Sequence, residues 1–310
     1  LLVLINLSLF DFCKIISQII YKKVIDDLSF DKYSGKNFDV SWYDKIIDSN
    51  KDGYYLTESG EKKVLFKFRK EVINQILQDT AIETFLQEAK KKHSNRGMAA
   101  GIPDGQKNAR TITKTGQNEG LYIASNISGY YDRALREHRG KFKTQVVCRT
   151  TAFNLKNKDS FKKALPFIQQ CSKEYKKLGG KYYRSQKKEW YSILPQLRIP
   201  KTVFTTITSN YNWRTACHKD SGDYSHGLGN LIVTGKDFSG CYLGFPKFKV
   251  LIKIEPGDFL LMDVHQYHCN TKLILSKETG FRLSFVMYIR EDMSKCTKQR
   301  KIDNNNYYYS

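Results

Sequence analysis

The chain has 310 residues, 40% hydrophobic and 13% aromatic, with 52 Lys and Arg against 31 Asp and Glu for a net charge of +21. The apolar share suffices for a core and excludes a wholly disordered chain, while the length allows one large domain or two smaller ones. Charge of this sign gathers polyanions, and the seven Cys, odd in number and without a CxxC pair, exclude a disulfide framework or zinc ribbon and favour a reducing interior, nuclear or cytoplasmic.

The opening LLVLINLSLFDFCKIISQII is apolar enough to suggest a signal or anchor. Asn6, Asp11 and Lys14 interrupt it before it reaches spanning length, so a buried or partner-covered helix is expected and no membrane contact. Residues 1–90 read as a mostly helical N-terminal region, closed by ETFLQEAKKK. SNRGMAAGIPDGQKNART, residues 94–111, is a loop on its turn chemistry. Between Tyr131 and Pro195 stand 17 Lys and Arg against 5 Asp and Glu, which makes this stretch the expected phosphate-facing part.

Within it a helix is predicted after Asp159. Pro166 sits at a first-turn position, Ile168, Cys171, Tyr175 and Leu178 form one apolar face, and Gly179 is the stop. Lys173, Lys176 and Lys177 lie opposite, and the basic KYYRSQKKEWYSI follows. After Pro200 the pattern changes to short strands: VFTTITSNYN, NLIVTG, FKVLIKI, DFLLMDV and RLSFVMYIR, with EPGD as a turn. Their number and length predict a sandwich or barrel over residues 200–294. Residues 295–310 read as a disordered tail.

Three fragments of this strand-rich part carry chemistry. CHKD gives His218 and Asp220, GDFLLMDVHQYHCNT gives His265 and His268, and RLSF gives Arg282 and Ser284. His-x-Asp, a His fifty residues later and an Arg fourteen beyond it is the order of a non-haem Fe(II) site with a 2-oxoglutarate anchor. Two neutral imidazoles and one carboxylate occupy one face of Fe(II) and leave positions for a 2-oxo acid and for O2. A guanidinium matches the far carboxylate of that cosubstrate by two prongs, and Ser284, two residues on, faces the same side. His268 is the expected distal ligand, at the far end of its strand. His265, three residues away, is predicted on the opposite face, as a neighbour that hydrogen-bonds or meets substrate. The same alternation turns Cys217 and Cys269 away from the metal, and His93, His138 and His226 default to structural roles.

The stretch Asn212 to Arg290 resembles the TET/JBP family of DNA dioxygenases, on RTACHKDSGDYSHGLG, on FSGCYLGFPKFKVLIKIEPGDFLLMDVHQYHCNT and on RLSFVMYIRE. The HxDxGD opening, the Phe245–Pro246 turn and the HxN bring it nearest the J-binding-protein side. The resemblance implies an α+β fold with a double-stranded β-helix (jelly-roll or cupin-like) core flanked by N-terminal helices, with residues 91–294 as the dioxygenase domain. It implies Fe(II) on His218, Asp220 and His268, 2-oxoglutarate on Arg282, and oxidation of the 5-methyl group of thymine or 5-methylcytosine in DNA.

A methyl inside a duplex cannot reach an enclosed metal, so the base is expected to flip into a pocket for which Tyr224, Phe245 and Tyr267 are candidate lining. RNA as substrate, an AlkB-like dealkylase, a protein hydroxylase, a non-catalytic binding barrel and a structural zinc site are the alternatives. An AlkB-like enzyme has a second Arg six residues after the first, where this chain has Tyr288. The chain shows neither a cysteine-rich module nor a separate base-J-reading domain.

Overall fold

The computed structural model describes residues 18–23, 27–93, 96–101, 123–135, 145–220 and 222–296. The expectations for residues 1–17, most of the 94–111 loop, His138 and the tail beyond 296 lie outside these residues, as does the side chain of His93.

Sixteen strands are named among the described residues. Before the basic stretch come β1 (Gln18–Tyr21), β2 (Lys45–Ile47), β3 (Lys51–Leu56), β4 (Lys62–Arg69), β5 (Lys92–His93), β6 (Ile123–Leu135) and β7 (Gln145–Thr150). After it come β8 (Thr206–Tyr211), β9 (Gly229–Lys236), β10 (Phe238–Gly240), β11 (Leu243–Phe245) and β12 (Val250–Ile252), then β13 (Phe259–Met262), β14 (Cys269–Asn270), β15 (Leu273–Leu275) and β16 (Phe281–Tyr288). Ten of them form one sheet in the order β1-β3-β4-β13-β9-β16-β8-β6-β5, with β7 paired to β6. A smaller sheet, β14-β11-β12-β2, faces it. Phe66, Phe68, Leu231, Leu260 and Met262 of the large sheet meet Leu243, Phe245, Val250 and Ile252 of the small one in a shared apolar layer. Two facing sheets packed around one core fit the sandwich or barrel expected from the strand count and are consistent with the jelly-roll core that the resemblance implies.

The other face of the large sheet is covered by helices α1 (Gln75–Ala89), α2 (Leu165–Gly179) and α3 (Lys181–Ser192). Asn74 caps α1 by accepting from the Leu77 amide at 3.0 Å. Pro166 opens α2 as predicted, and Ile168, Cys171, Tyr175 and Leu178 are buried. Gly180, at φ 51°, separates α2 from α3. Phe285 of β16 sits edge-on to Phe167 at 5.0 Å and to Phe85 at 5.4 Å, so α1 and α2 are fastened to the central strand.

The expected helical N-terminal region is only partly so: Gln75–Ala89 is the helix that ETFLQEAKKK was expected to close, but Lys45–Ile47, Lys51–Leu56 and Lys62–Arg69 are strands. Tyr54–Leu56 and Lys62–Val64 pair across the turn at Thr57–Gly60, and β4 then pairs directly with β13. Flanked by β3 and β13, Val64, Leu65, Phe66 and Phe68 are buried, and an unbroken apolar run in a sheet covered on both faces hides its alternation. The last residues of the apolar opening, Gln18–Tyr21, likewise form strand rather than helix. Although the seven Cys suggested no disulfide framework, Cys148 and Cys296 form a disulfide, whereas Cys171, Cys217, Cys241 and Cys269 are free and buried. No helix among the described residues is long and apolar enough to cross a membrane.

Candidate metal centre

His218 and His268 face each other through an isolated antiparallel bridge, each amide donating to the other's carbonyl at 3.1 and 3.0 Å. Two residues on from His218, the Asp220 amide donates to the Val264 carbonyl at 3.0 Å. One ligand atom from each of His218, Asp220 and His268 falls within 4.8 Å of the others. It is the metal-ligand group found among the described residues. His218 Nε2 stands 3.4 Å from one Asp220 oxygen and His268 Nε2 3.8 Å from the other.

The orientation of both imidazoles is fixed by the main chain. Nδ1 of His218 lies 2.7 Å from the Ala216 carbonyl, and Nδ1 of His268 lies 3.0 Å from the Gln266 carbonyl. A carbonyl accepts only, so in the neutral ring Nδ1 carries the proton and the Nε2 lone pair is left for a metal. Burial lowers the His268 pKa, helped by the neighbouring His218, to about 4. Burial also works against a charged His218, but the Asp220 carboxylate overrides it and raises that pKa. Burial would raise Asp220; the hydrogen bond from His218 and the surrounding imidazoles instead bring it down to about 2. His218 and Asp220 thus each favour the charged form of the other, while His268 is driven toward its neutral form.

These residues open into a cavity of about 440 Å³ between the two sheets. Ser284, Val286 and Tyr288, alternating along β16, line it together with Thr208 and Asn210 of β8. Arg282 begins the same inward row and is 1% exposed. Its backbone is pinned to Asn212, whose Oδ1 accepts from the Arg282 amide at 2.7 Å, yet Nε and Nη2 have no hydrogen-bond partner. A buried guanidinium with two orphaned donors needs an anion. This observation, with two aimed Nε2 atoms and one carboxylate, fits Fe(II) and a dicarboxylate cosubstrate.

The four sequence-predicted substrate residues lie elsewhere. Phe245 is fully buried between the sheets and stacked on Phe66, and Tyr267 lies among Phe30, Phe38 and Cys269. The Tyr224 hydroxyl meets Ser185 at 3.1 Å, outside the cavity lining. His265 sits in a turn rather than on a strand, so it is the turn and not alternation that separates it from His268. Its Nδ1 is 3.1 Å from the Asp220 carbonyl, and it lines a second cavity with Asp263 and Tyr182.

Sequence reasoning passed over Asn210, Trp213, Arg96, Asp223 and Arg290, which do line the metal cavity. Asn210 and Thr208 were within reach, since they alternate along a predicted strand. Arg96 was read only as part of a loop; its guanidinium bonds Ser125 Oγ at 2.8 and 2.9 Å and lies 6.0 Å from the Trp213 ring. Cys217 and Cys269 lie in the apolar cluster with Tyr43, whose hydroxyl is 3.3 Å from the Cys269 sulfur.

The family model Tet_JBP, described as the oxygenase domain of the 2OGFeDO superfamily, matches residues 126–291, more than half of the chain. The chain is 35% identical over 198 residues to the bifunctional helicase and thymine dioxygenase JBP2 of Leishmania tarentolae, covering 63% of this chain and 17% of that protein. It is 32% identical over 184 residues to thymine dioxygenase JBP1 of Trypanosoma brucei brucei, covering 59% of this chain and 21% of that one. The chain therefore spans about a fifth of the length of the curated relatives it matches. Among solved structures, NgTET1 in complex with 5mC DNA is similar in fold, with a TM-score of 0.54 at 12% identity over 91% of this chain and 84% of that one.

Proposed function

The chain belongs to the TET/JBP oxygenase family, and on that premise we propose that it is an Fe(II)- and 2-oxoglutarate-dependent dioxygenase that oxidises the 5-methyl group of a pyrimidine in DNA. The observation that carries the reading is the convergence of His218, Asp220 and His268 in one cavity with the row that begins at the orphaned Arg282. His218, Asp220 and His268 would hold the iron, and Arg282 with Ser284 the distal carboxylate of 2-oxoglutarate. Bound there, iron with 2-oxoglutarate and O2 supplies an oxidant able to take hydrogen from a methyl carbon, which acid, base or nucleophile cannot do.

The chain's own residues do the rest. Leu231, Met262 and Val286 give the cavity apolar walls, which keep water from the reacting carbon, while Asn210, Thr208 and Tyr288 supply polar contacts for orientation. A base must leave the duplex to enter, and Arg96, Lys219 and Arg290 at the lining favour the anionic strand that carries it. The basic faces of α2 and α3 would extend that grip to phosphates without reading sequence. Tyr288 stands where an AlkB-like enzyme has its second Arg, and its hydroxyl is 3.0 Å from Thr208, so that alternative lacks its guanidinium. Cys217 and Cys269 lie in the apolar cluster with Tyr43 and not in the ligand group, which disfavours a zinc site. Action on DNA would put the protein in the nucleus or cytoplasm.

The test is incubation of the chain with Fe(II), 2-oxoglutarate, ascorbate and DNA containing thymine or 5-methylcytosine, followed by nucleoside mass spectrometry. Hydroxymethylated pyrimidine, absent with Asp220→Ala, is the expected result, with thymine tried first because the curated relatives are thymine dioxygenases. Succinate formed without any modified base would move the substrate elsewhere; no succinate under any condition would end the enzyme reading.

A further inference from the structure

Arg290 is held beside the metal cavity by a closed ring of contacts. Its guanidinium pairs with Asp132 on β6. Asp132 lies directly across the strand pair from Cys148 on β7. Cys148 is disulfide-bonded to Cys296, with Cα atoms 5.8 Å apart and a sequence separation of 148. Cys296 in turn ends the short helical turn Met293–Lys295 that follows Arg290. One ionic link, one cross-strand link and one covalent link therefore fix the same junction.

That junction also seats the loop that follows the metal ligands. The Tyr224 amide donates to the Ile289 carbonyl at 2.9 Å, and the Glu291 amide to the Gly222 carbonyl at 3.0 Å. The Ser225 amide donates to the Glu291 carboxylate at 2.7 Å. At Gly222 a Cβ would stand 3.1 Å from Arg290 Nη1, so the segment lies hard against the loop two residues after Asp220. Apart from the two cysteines, residues 293–296 are held by single turn bonds, an exposed Lys295–Asp292 ion pair and an apolar cluster of Ile193, Leu197, Ile289 and Met293. A single turn of this kind opens readily once its tether is cut.

We propose that Cys148 and Cys296 form a thiol–disulfide switch that seats residues 289–296, and with them Arg290 and the metal-binding loop. A dithiol delivers two electrons and two protons, breaks the S–S bond to two thiols and leaves as its own disulfide. Oxidised glutathione re-forms the bond through a mixed disulfide and releases two molecules of glutathione. A bond of this kind in a thiol-rich interior responds to the redox poise instead of serving as a permanent staple. The effect on turnover rests on the function proposed above; the seating of the segment does not.

The full chain is poised in oxidised glutathione or in dithiothreitol. Differential alkylation with peptide mass spectrometry reads the pair, hydrogen exchange reads the loop, and turnover on DNA reads the cavity. Oxidation protects Cys148 and Cys296 from alkylation, and reduction speeds exchange at Tyr224 and Glu291 by about tenfold while β9 is unmoved. Turnover on DNA falls on reduction with the KM for 2-oxoglutarate unchanged, and Cys296→Ser behaves as the reduced chain under both conditions. The redox comparison uses the unaltered sequence, so it stands even if the serine variant fails to fold. Free alkylation of both thiols in oxidised glutathione, or equal exchange at residues 222–225 in both states, overturns the switch. An exchange difference without turnover in either state supports the switch and overturns the enzymatic reading.

Discussion

The strand Phe281–Tyr288 carries two unlike chemistries on its two faces. Outward, Leu283, Phe285 and Met287 are filled in by the helices, with Phe285 edge-on to two rings. Inward, Ser284, Val286 and Tyr288 line the cavity, and the buried Arg282 that begins the same row has two guanidinium donors left over. The outer face is complete without a ligand, and the inner face is not. One strand thus separates stability from function by alternation alone.

The comparison breaks most visibly at the metal ligands. His218→Ala should take 2-oxoglutarate turnover below detection and metal affinity with it, measured by calorimetry with Mn(II), while DNA binding by anisotropy is retained. On the outer face, Phe285→Ala should cost about 3–5 kcal/mol of stability by denaturant unfolding, because two helices lose their anchor. If the surviving folded fraction also lost metal affinity, the two faces would not be independent.

A sharper contrast comes from Arg282→Met, which should raise the KM for 2-oxoglutarate about a hundredfold, on the scale of a lost buried charge pair. The same change removes an uncompensated buried charge, so the ligand-free protein should become more stable, opposite in sign to Phe285→Ala. His265→Ala should weaken metal binding by about tenfold through the lost bond to the Asp220 carbonyl, with His265→Asn recovering part of it.

The smallest expected effect is one of pH. His218 must shed its proton to bind metal, so affinity should fall by about tenfold per unit once the pH drops below its raised pKa. In the metal-free protein the sign reverses. The His218–Asp220 pair contributes stability that is full below the unfolded His value of about 6.5 and is lost as pH rises through the raised folded value. Thermal unfolding with and without Mn(II) across pH 5–9 separates the two trends.

Much of the site was legible because its signals are local. His-x-Asp, the second His and the Arg each stand beside a readable strand, and the alternation on β16 placed Ser284 beside Arg282. Helix α2 was legible to within a residue at its start, Leu165 rather than Pro166, and at its stop, Gly179, because one face is apolar and the other charged. The strand Lys62–Arg69 was missed because its centre, Val64–Phe66, is buried on both faces and loses its alternation; the turn residues between YYL and KVLFKF were the available sign. The cavity-lining residues were missed for another reason. Tyr224 and Tyr267 are near the ligands in sequence, whereas Arg96 is near them only after the chain has folded.

The bridge between His218 and His268 joins residues fifty positions apart through two amide bonds. Cys217 and Cys269 flank that bridge in sequence. A slip of a single residue in either segment would turn a thiol inward where an imidazole belongs, and a soft sulfur donor favours zinc over ferrous iron. On the proposed function, the alignment of one short ladder would therefore select the element the cavity accepts, and loading with the right metal would report that the chain has closed in the right frame.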